Sequence, residues 1–214
     1  MARYIFCILG SSATGKDTIL KKLLWTKFNG LYLNKLVPLT SRPPREGEVS
    51  GVDYKFLTKE YFEKLIRDNP PTLMEYRSYK VKTANNESDT WYYGNVLPEP
   101  DPMTMYSIMI GTLESFSNMI NNPNIERFGY KVIPIYISVS DEERLYRMIT
   151  REAKNEKPNY REVSRRFLSD MSDLKKYHDV LAAIPDNNYF INNDLDKTVE
   201  AIVSRMTEII NTKE

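Results

Sequence analysis

The sequence predicts an α/β fold, a parallel sheet flanked by helices, and three observations carry the prediction. Short apolar runs of strand length alternate with segments of helical periodicity. The first run ends in a glycine-rich loop that opens directly into a helical pattern. Two later apolar runs, residues 103–110 and 131–139, are each followed by a helical pattern, which restores βα alternation after an interruption.

Residues 3–9 are nearly continuous in apolar side chains and stop at Gly10, as a strand buried on both faces of a parallel sheet does. Beyond the loop, Ile19, Leu20, Leu23, Leu24 and Phe28 recur at helical spacing, with Asn29-Gly30 as the stop. Residues 31–39 read as a second strand, closed by Pro38 and the turn-rich segment 40–47. From there to about Pro102 a small subdomain is expected, with strands at 54–57 and 73–76 around a helix at 59–67. Within it, residues 80–90 are polar and lack periodicity, so a mobile surface loop or hairpin tip is expected. Asp141-Glu142-Glu143 opens a helix with acids at its positive end, and residues 154–158 break the pattern before a second helix through Tyr177. Residues 188–192 form a last short strand, and Asp194 caps a closing helix over 195–210.

The 214 residues, 41% hydrophobic and 28% charged, suit one globular unit with a sizeable core. With 30 Lys and Arg against 29 Asp and Glu, the net charge of +1 creates no global field, so neither a nucleic-acid nor a membrane partner is expected. The single cysteine, Cys7, cannot form an internal disulfide, which suits a reducing, cytoplasmic location. The apolar start, residues 1–9, is too short to span a membrane and lacks a cleavage region, so no signal peptide is expected.

The loop Gly10-Ser11-Ser12-Ala13-Thr14-Gly15-Lys16 fits G-x-x-x-x-G-K between a strand and a helix, the context that marks a phosphate-binding P-loop. Its glycines let backbone N–H groups turn inward around phosphate oxygens, at a helix N-terminus whose partial positive charge adds to the attraction. Ser12, Ala13, Thr14, Gly15, Lys16, Asp17 and Thr18 are therefore the candidate ATP-binding residues, with Lys16 reaching the β- and γ-phosphates. Where a Ser or Thr hydroxyl usually binds Mg²⁺, this chain has Asp17, followed by Thr18. Either Asp17 holds the metal, a carboxylate being the better hard-cation ligand, or Asp17 serves the helix dipole and Thr18 takes the hydroxyl's role.

Arg42 and Arg45 flank a Pro-Pro turn, with Tyr54 further on. Forked guanidiniums match the oxygens of a phosphomonoester, and prolines reduce the entropy lost on binding. On the arginines alone, a solvated basic loop is the stronger reading.

Taken together, these residues closely resemble the guanylate kinase family over essentially the whole chain. The strongest match runs from Thr40-Ser41-Arg42-Pro43-Pro44-Arg45 through Gly51-Val52-Asp53-Tyr54-Lys55-Phe56, similar to the family's signature for its nucleoside monophosphate domain. The resemblance implies a P-loop NTPase-type sheet with an inserted acceptor-binding subdomain and a helical lid: a core at 1–39, 103–152 and 178–214, an acceptor subdomain at 40–102 and a lid at 153–177. It implies that Arg42, Arg45 and Tyr54 grip the acceptor phosphate and that Glu75 accepts hydrogen bonds from a guanine edge. Tyr92-Tyr93-Gly94-Asn95 is similar to the family's Tyr-Tyr-Gly motif, giving Tyr93 to the acceptor phosphate and Asn95 to a position where Ser or Thr is usual. Arg147, Arg151 and Arg166 fall where the family's lid arginines lie, and Asn192 falls at its adenine-side contact. The implied catalytic set is Lys16, Arg42, Arg147, Arg151 and Arg166; phosphoryl transfer is positioning plus electrostatics, and no general base is required. His178, the only histidine, is left at the surface or a helix end.

The departures fall on the acceptor side. Residues 106–110 carry no acid where the family's strand carries aspartates, Pro38 stands near a usual serine, and residues 80–90 read as an insertion. The expected activity is phosphoryl transfer from ATP, with Mg²⁺, to a nucleoside monophosphate, GMP or dGMP. The Gly-Lys-Asp loop also resembles the ribose bisphosphokinase branch, which makes a sugar phosphate the alternative acceptor. A catalytically inactive binding module is the third reading, opposed by the retention of Lys16 and the arginines.

Overall fold

The computed structural model describes residues 3–45, 47–82, 88–98, 101 and 105–212. Strand β1, Arg3–Leu9, buries six of its seven residues. Helix α1, Lys16–Leu24, has Asp17 in its first turn and Lys21 and Lys22 in its last, the arrangement its dipole favours, and buries Ile19, Leu20 and Leu23.

The helix ends before Phe28, against the expectation that Phe28 continues its apolar face. Lys27–Phe28 (β2) and Leu31–Tyr32 (β3) instead form a hairpin about Asn29-Gly30, whose φ values of 47° and 83° are those of a two-residue turn matched to strand twist. The single strand expected over 31–39 is likewise divided. After β3, Asn34–Lys35 (β4) joins the main sheet and Leu39–Thr40 (β5) joins a second sheet, so the segment crosses between sheets, with Pro38 unable to donate to a ladder.

The second sheet is completed by Lys55–Phe56 (β6), Leu73–Lys82 (β7) and Ser88–Val96 (β8), in the order β6-β5-β8-β7. Helix α2, Lys59–Asp68, precedes β7; its cap, Thr58, accepts a hydrogen bond from the Tyr61 N–H. Much of the loop expected at 80–90 is hairpin, since Lys80 pairs with Thr90 and Lys82 with Ser88; its tip, 83–87, lies outside the described residues.

The chain returns to the main sheet through β9, Tyr106–Ile110, while Met103, expected at its start, lies outside the described residues. Then follow α3 (Leu113–Ile120), α4 (Pro123–Arg127), β10 (Tyr130–Ser138), α5 (Asp141–Glu152), α6 (Tyr160–Lys176) and α7 (His178–Ala182). His178 opens α7 at the surface. The chain closes with β11 (Tyr189–Ile191) and α8 (Leu195–Asn211), where the Asp194 carboxylate accepts from two backbone N–H groups.

The main sheet has the order β11-β10-β1-β9-β4, with every pair parallel. Successive β1 side chains point to opposite faces and so enter two cores. Phe6 and Ile8 pack with Ile19, Leu23, Ile202 and Met206 beneath α1 and α8. Ile5, Cys7 and Leu9 pack with Met109, Phe116 and Met119 on the α3 side. Cys7 is fully buried, and burial pushes its thiol well above the usual range, which makes it a packing residue. Among the described residues, no helix is long and apolar enough to cross a membrane.

Candidate functional site

The carboxyl ends of β1 and β9 deliver Gly10 and Gly111 to one edge of the sheet, where ligands of open α/β sheets bind. Gly10 (φ 136°), Ala13 (φ 63°) and Gly15 (φ 96°) give the loop its inward turn. A Cβ on Gly10 would stand 2.2 Å from the Ile137 carbonyl oxygen, and one on Gly15 would stand 2.4 Å from Asn192 Nδ2. At Gly10 only hydrogen fits, and at Gly15 a side chain would have to displace the Asn192 amide.

Asn192 Nδ2 donates to the Thr14 carbonyl at 2.8 Å, pinning the loop to the segment after β11. Lys16 Nζ folds back over the loop and donates to the carbonyls of Gly10 (2.8 Å) and Ser11 (2.6 Å). Burial pulls its pKa down to about 8, against the opposing pull of Asp17 and Asp170.

A cleft of about 500 Å³ opens over the loop, walled by Ala13, Gly15, Lys16, Asp17, Thr18, Arg147, Arg151 and Asn192 among others. Arg147 reaches the Asn192 carbonyl at 3.2 Å and is steadied by Glu143 at 2.6 Å. Arg166 is not on this wall: it pairs with Glu162, four residues earlier on α6, at 2.8 Å.

A second cavity, about 340 Å³, lies between the loop and the small sheet. Lys16, Tyr54, Tyr93 and Asn95 line it together with Pro38, Arg77, Tyr79 and Asp170. The rings of Tyr54 and Tyr93 meet edge to face at 6.1 Å. Arg42 is buried, with a bidentate pair to Glu48 (2.8 and 2.9 Å) and its guanidinium over the Tyr54 ring at 5.2 Å. The Arg42 fork holds the Glu48 carboxyl below the usual range, and Glu48 also accepts from the Arg45 N–H at 2.7 Å. This carboxylate sits on a ready-made anion clasp. The Arg45 side chain itself is exposed, and neither arginine stands on the cavity wall.

Glu75 is also off the wall, its side chain fully covered. Asn95 Nδ2 donates to one carboxylate oxygen, and Arg77 Nε donates to the other at 3.1 Å. Burial pushes its carboxyl above the usual range despite the adjacent guanidinium.

Four participants were not anticipated from sequence. Arg77 was legible in principle: Glu75, Arg77 and Tyr79 alternate along β7 and so share a face. Glu48 lies within the signature stretch beside two arginines. Asp170 and Arg144 were not legible, because the contacts that bring them to the loop span 158 and 132 residues. Asp170 accepts from the Ser12 N–H at 2.8 Å and its hydroxyl at 3.2 Å, and Arg144, almost wholly buried, binds Asp170 at 2.9 Å.

Comparison with known proteins agrees with this architecture. The family profile described as guanylate kinase matches residues 2–88. The chain is 32% identical over 206 residues to a guanylate kinase of Mycoplasmoides gallisepticum, covering 92% of this chain and 89% of that one. It is 29% identical to one of Neisseria gonorrhoeae, covering 90% and 82%. A crystal structure of guanylate kinase from Anaplasma phagocytophilum matches with a TM-score of 0.57 at 19% identity, over 99% of this chain and 88% of that one, a likeness of fold. The sugar-phosphate reading and the inactive module draw no support from these relatives.

Proposed function

This chain belongs to the guanylate kinase family and is a nucleoside monophosphate kinase, and from that premise we propose that it transfers the γ-phosphoryl group of ATP to GMP or dGMP. The observation that carries the reading is that Lys16 lines both cavities. A nucleoside triphosphate in the loop cleft and a monophosphate in the second cavity would meet at one ammonium group, the geometry that in-line transfer between two phosphates needs.

The residues divide the work accordingly. The backbone from Ser12 to Thr18 binds the ATP phosphates, with Asn192 on the adenine side holding the loop in shape. Lys16 exchanges the carbonyls of Gly10 and Ser11 for phosphate oxygens. Arg147 and Arg151, already on the cleft wall, neutralise charge on the transferring group, and Arg166 reaches it when residues 153–177 close as a lid over the 1–39, 103–152 and 178–214 core. In the 40–102 subdomain, Arg42 and Arg45 exchange Glu48 for the acceptor phosphate beside Tyr54 and Tyr93, and Glu75 and Asn95 serve the base.

Asp17 and Thr18, exposed in the first turn of α1 on the cleft wall, are the residues that would hold Mg²⁺. The fit is reasonable: Mg²⁺ binds through one or two carboxylates plus phosphates and water, and no cluster of three or more acids, histidines or cysteines forms a cage among the described residues. Bound there, the ion supplies charge neutralisation across the phosphates. The small net charge and lone buried cysteine support a cytoplasmic enzyme acting on free nucleotides, without a nucleic-acid or membrane partner.

The direct test is incubation with ATP, Mg²⁺ and GMP, followed by chromatography. Equal amounts of GDP and ADP are expected; ATP consumption without GDP would refute the assignment.

A further inference from the structure

We propose that Asp170 is the pivot on which α6 turns, a positioning residue that seats the helix on the phosphate loop so that Arg166 meets the transferring phosphoryl group. This role rests on the kinase reading: Asp170 acts through Arg166 and not on a substrate.

Packing seats α6 only lightly, since Val163 alone of its 17 residues is buried. A helix with so few buried apolar contacts takes its position from the polar contacts that hold it. It runs back along α5 as a helical hairpin. At one end Arg144 meets Asp170 at 2.9 Å, and at the other Glu152 accepts from the Asn159 N–H at 2.7 Å. The phosphate loop is attached to the first end. Ser12 donates its backbone N–H and its hydroxyl to the Asp170 carboxylate, at 2.8 and 3.2 Å, while its carbonyl accepts from Arg144 Nε at 3.3 Å. Ser12, Asp170 and Arg144 thus close a ring, in which a charged pair holds both the N–H and the C=O of one loop residue.

Asp170 also stands on the wall of the second cavity, but its oxygens are already committed. Oδ2 accepts from the Ser12 N–H and from Arg144, which is only 2% exposed, and Oδ1 accepts from the Ser12 hydroxyl. A free carboxylate there would repel two phosphates, and the guanidinium neutralises this one. Its influence on the reaction therefore passes through its helix. Arg166 lies four residues before Asp170, one turn away on the same side of α6. Arg147 and Arg151 already stand on the cleft wall, whereas Arg166 is held off it by Glu162. Arg166 must swing in, and the point at which its helix is tied to the loop is Asp170. The arc is thereby set relative to the backbone that holds the phosphates, where misplacing a catalytic group by about 1 Å costs on the order of 100-fold.

The test is a mutant cycle on the full chain with ATP, Mg²⁺ and GMP, run well below the melting temperature of each variant. Asp170→Ala is expected to lower kcat by about 10- to 100-fold. KM for ATP and for GMP should stay within about threefold, the pattern of an interaction used only in the transition state. Asp170→Asn, which keeps an oxygen for the Ser12 N–H, should recover part of the loss, and it carries the comparison if the alanine variant does not fold. In an Arg166→Ala background, Asp170→Ala should cost less than about threefold, because residues that act as a unit are not additive. An intact kcat would overturn the proposal, as would a raised one, the mark of a restraint that ATP must break. So would a rise in KM for GMP in place of the fall in kcat, or the full loss repeated without Arg166. An unaltered chain that turns over no nucleoside monophosphate would overturn the kinase reading as well.

Discussion

Asp170, on α6, holds the backbone N–H of Ser12 in the phosphate loop at 2.8 Å. The same carboxylate pairs with Arg144, which donates to the Ser12 carbonyl at 3.3 Å and lies over the Phe167 ring at 4.9 Å. One ion pair thus ties α5 and α6 to the loop. Hydrogen bonds to charged groups contribute about 1.5–3 kcal/mol each, so Asp170→Ala should cost about 2 kcal/mol, partly offset by the Arg144–Asp141 pair that remains. A fall in Tm of about 4–8 °C is expected in a thermal melt. An unchanged Tm would mean the pair contributes nothing to stability.

Lys16 combines a buried ammonium with a position on both cavities. Lys16→Met should lower kcat by about 100- to 1,000-fold, the loss seen when one donor to transition-state charge is removed. Its thermal stability should be unchanged or higher, because burial disfavours the charged form that is removed. Parallel loss of activity and fold would show that Lys16 is structural.

The loop's glycines can be separated from ordinary turn glycines. Gly15→Ala would place a methyl 2.4 Å from Asn192 Nδ2 at φ 96°, whereas Gly30→Ala, at φ 83°, meets nothing within 4 Å. The second should cost only the left-handed backbone penalty, about 1–2 kcal/mol. The first should cost more and abolish ATP binding by calorimetry; equal effects would contradict the assigned role of the Asn192 contact.

Asp17 and Thr18 make different claims on the metal. If the carboxylate is the ligand, Asp17→Ser should raise the Mg²⁺ concentration needed for half-maximal turnover by about tenfold or more, and Thr18→Val should change it little. The reverse pattern would give the role to Thr18, and an unchanged requirement in both would remove the metal from this turn.

The main elements were legible because the main sheet is parallel and buried, so β1, β9 and β10 read as apolar runs, each followed by a helix. The hairpin about Asn29-Gly30 was obscured because Phe28 also fits a helical face, and two-residue strands are too short for periodicity to register. The loop and its helix were readable because sequence neighbours build them. Arg144 and Asp170 were not, since the Ser12–Asp170 contact spans 158 residues. The covering of Glu75 was hidden for the same reason: it requires β7 to lie beside β8, which brings Asn95 opposite Glu75.

The measurement that tests the account most directly is the initial rate with GMP, dGMP, AMP, CMP and ribose bisphosphate in turn, at fixed ATP and Mg²⁺, with Lys16→Met as the control for contaminating kinase. The account predicts that kcat/KM for GMP or dGMP exceeds that for AMP, CMP and the sugar phosphate by at least about tenfold. Turnover of the other acceptors without turnover of either guanine nucleotide would contradict it.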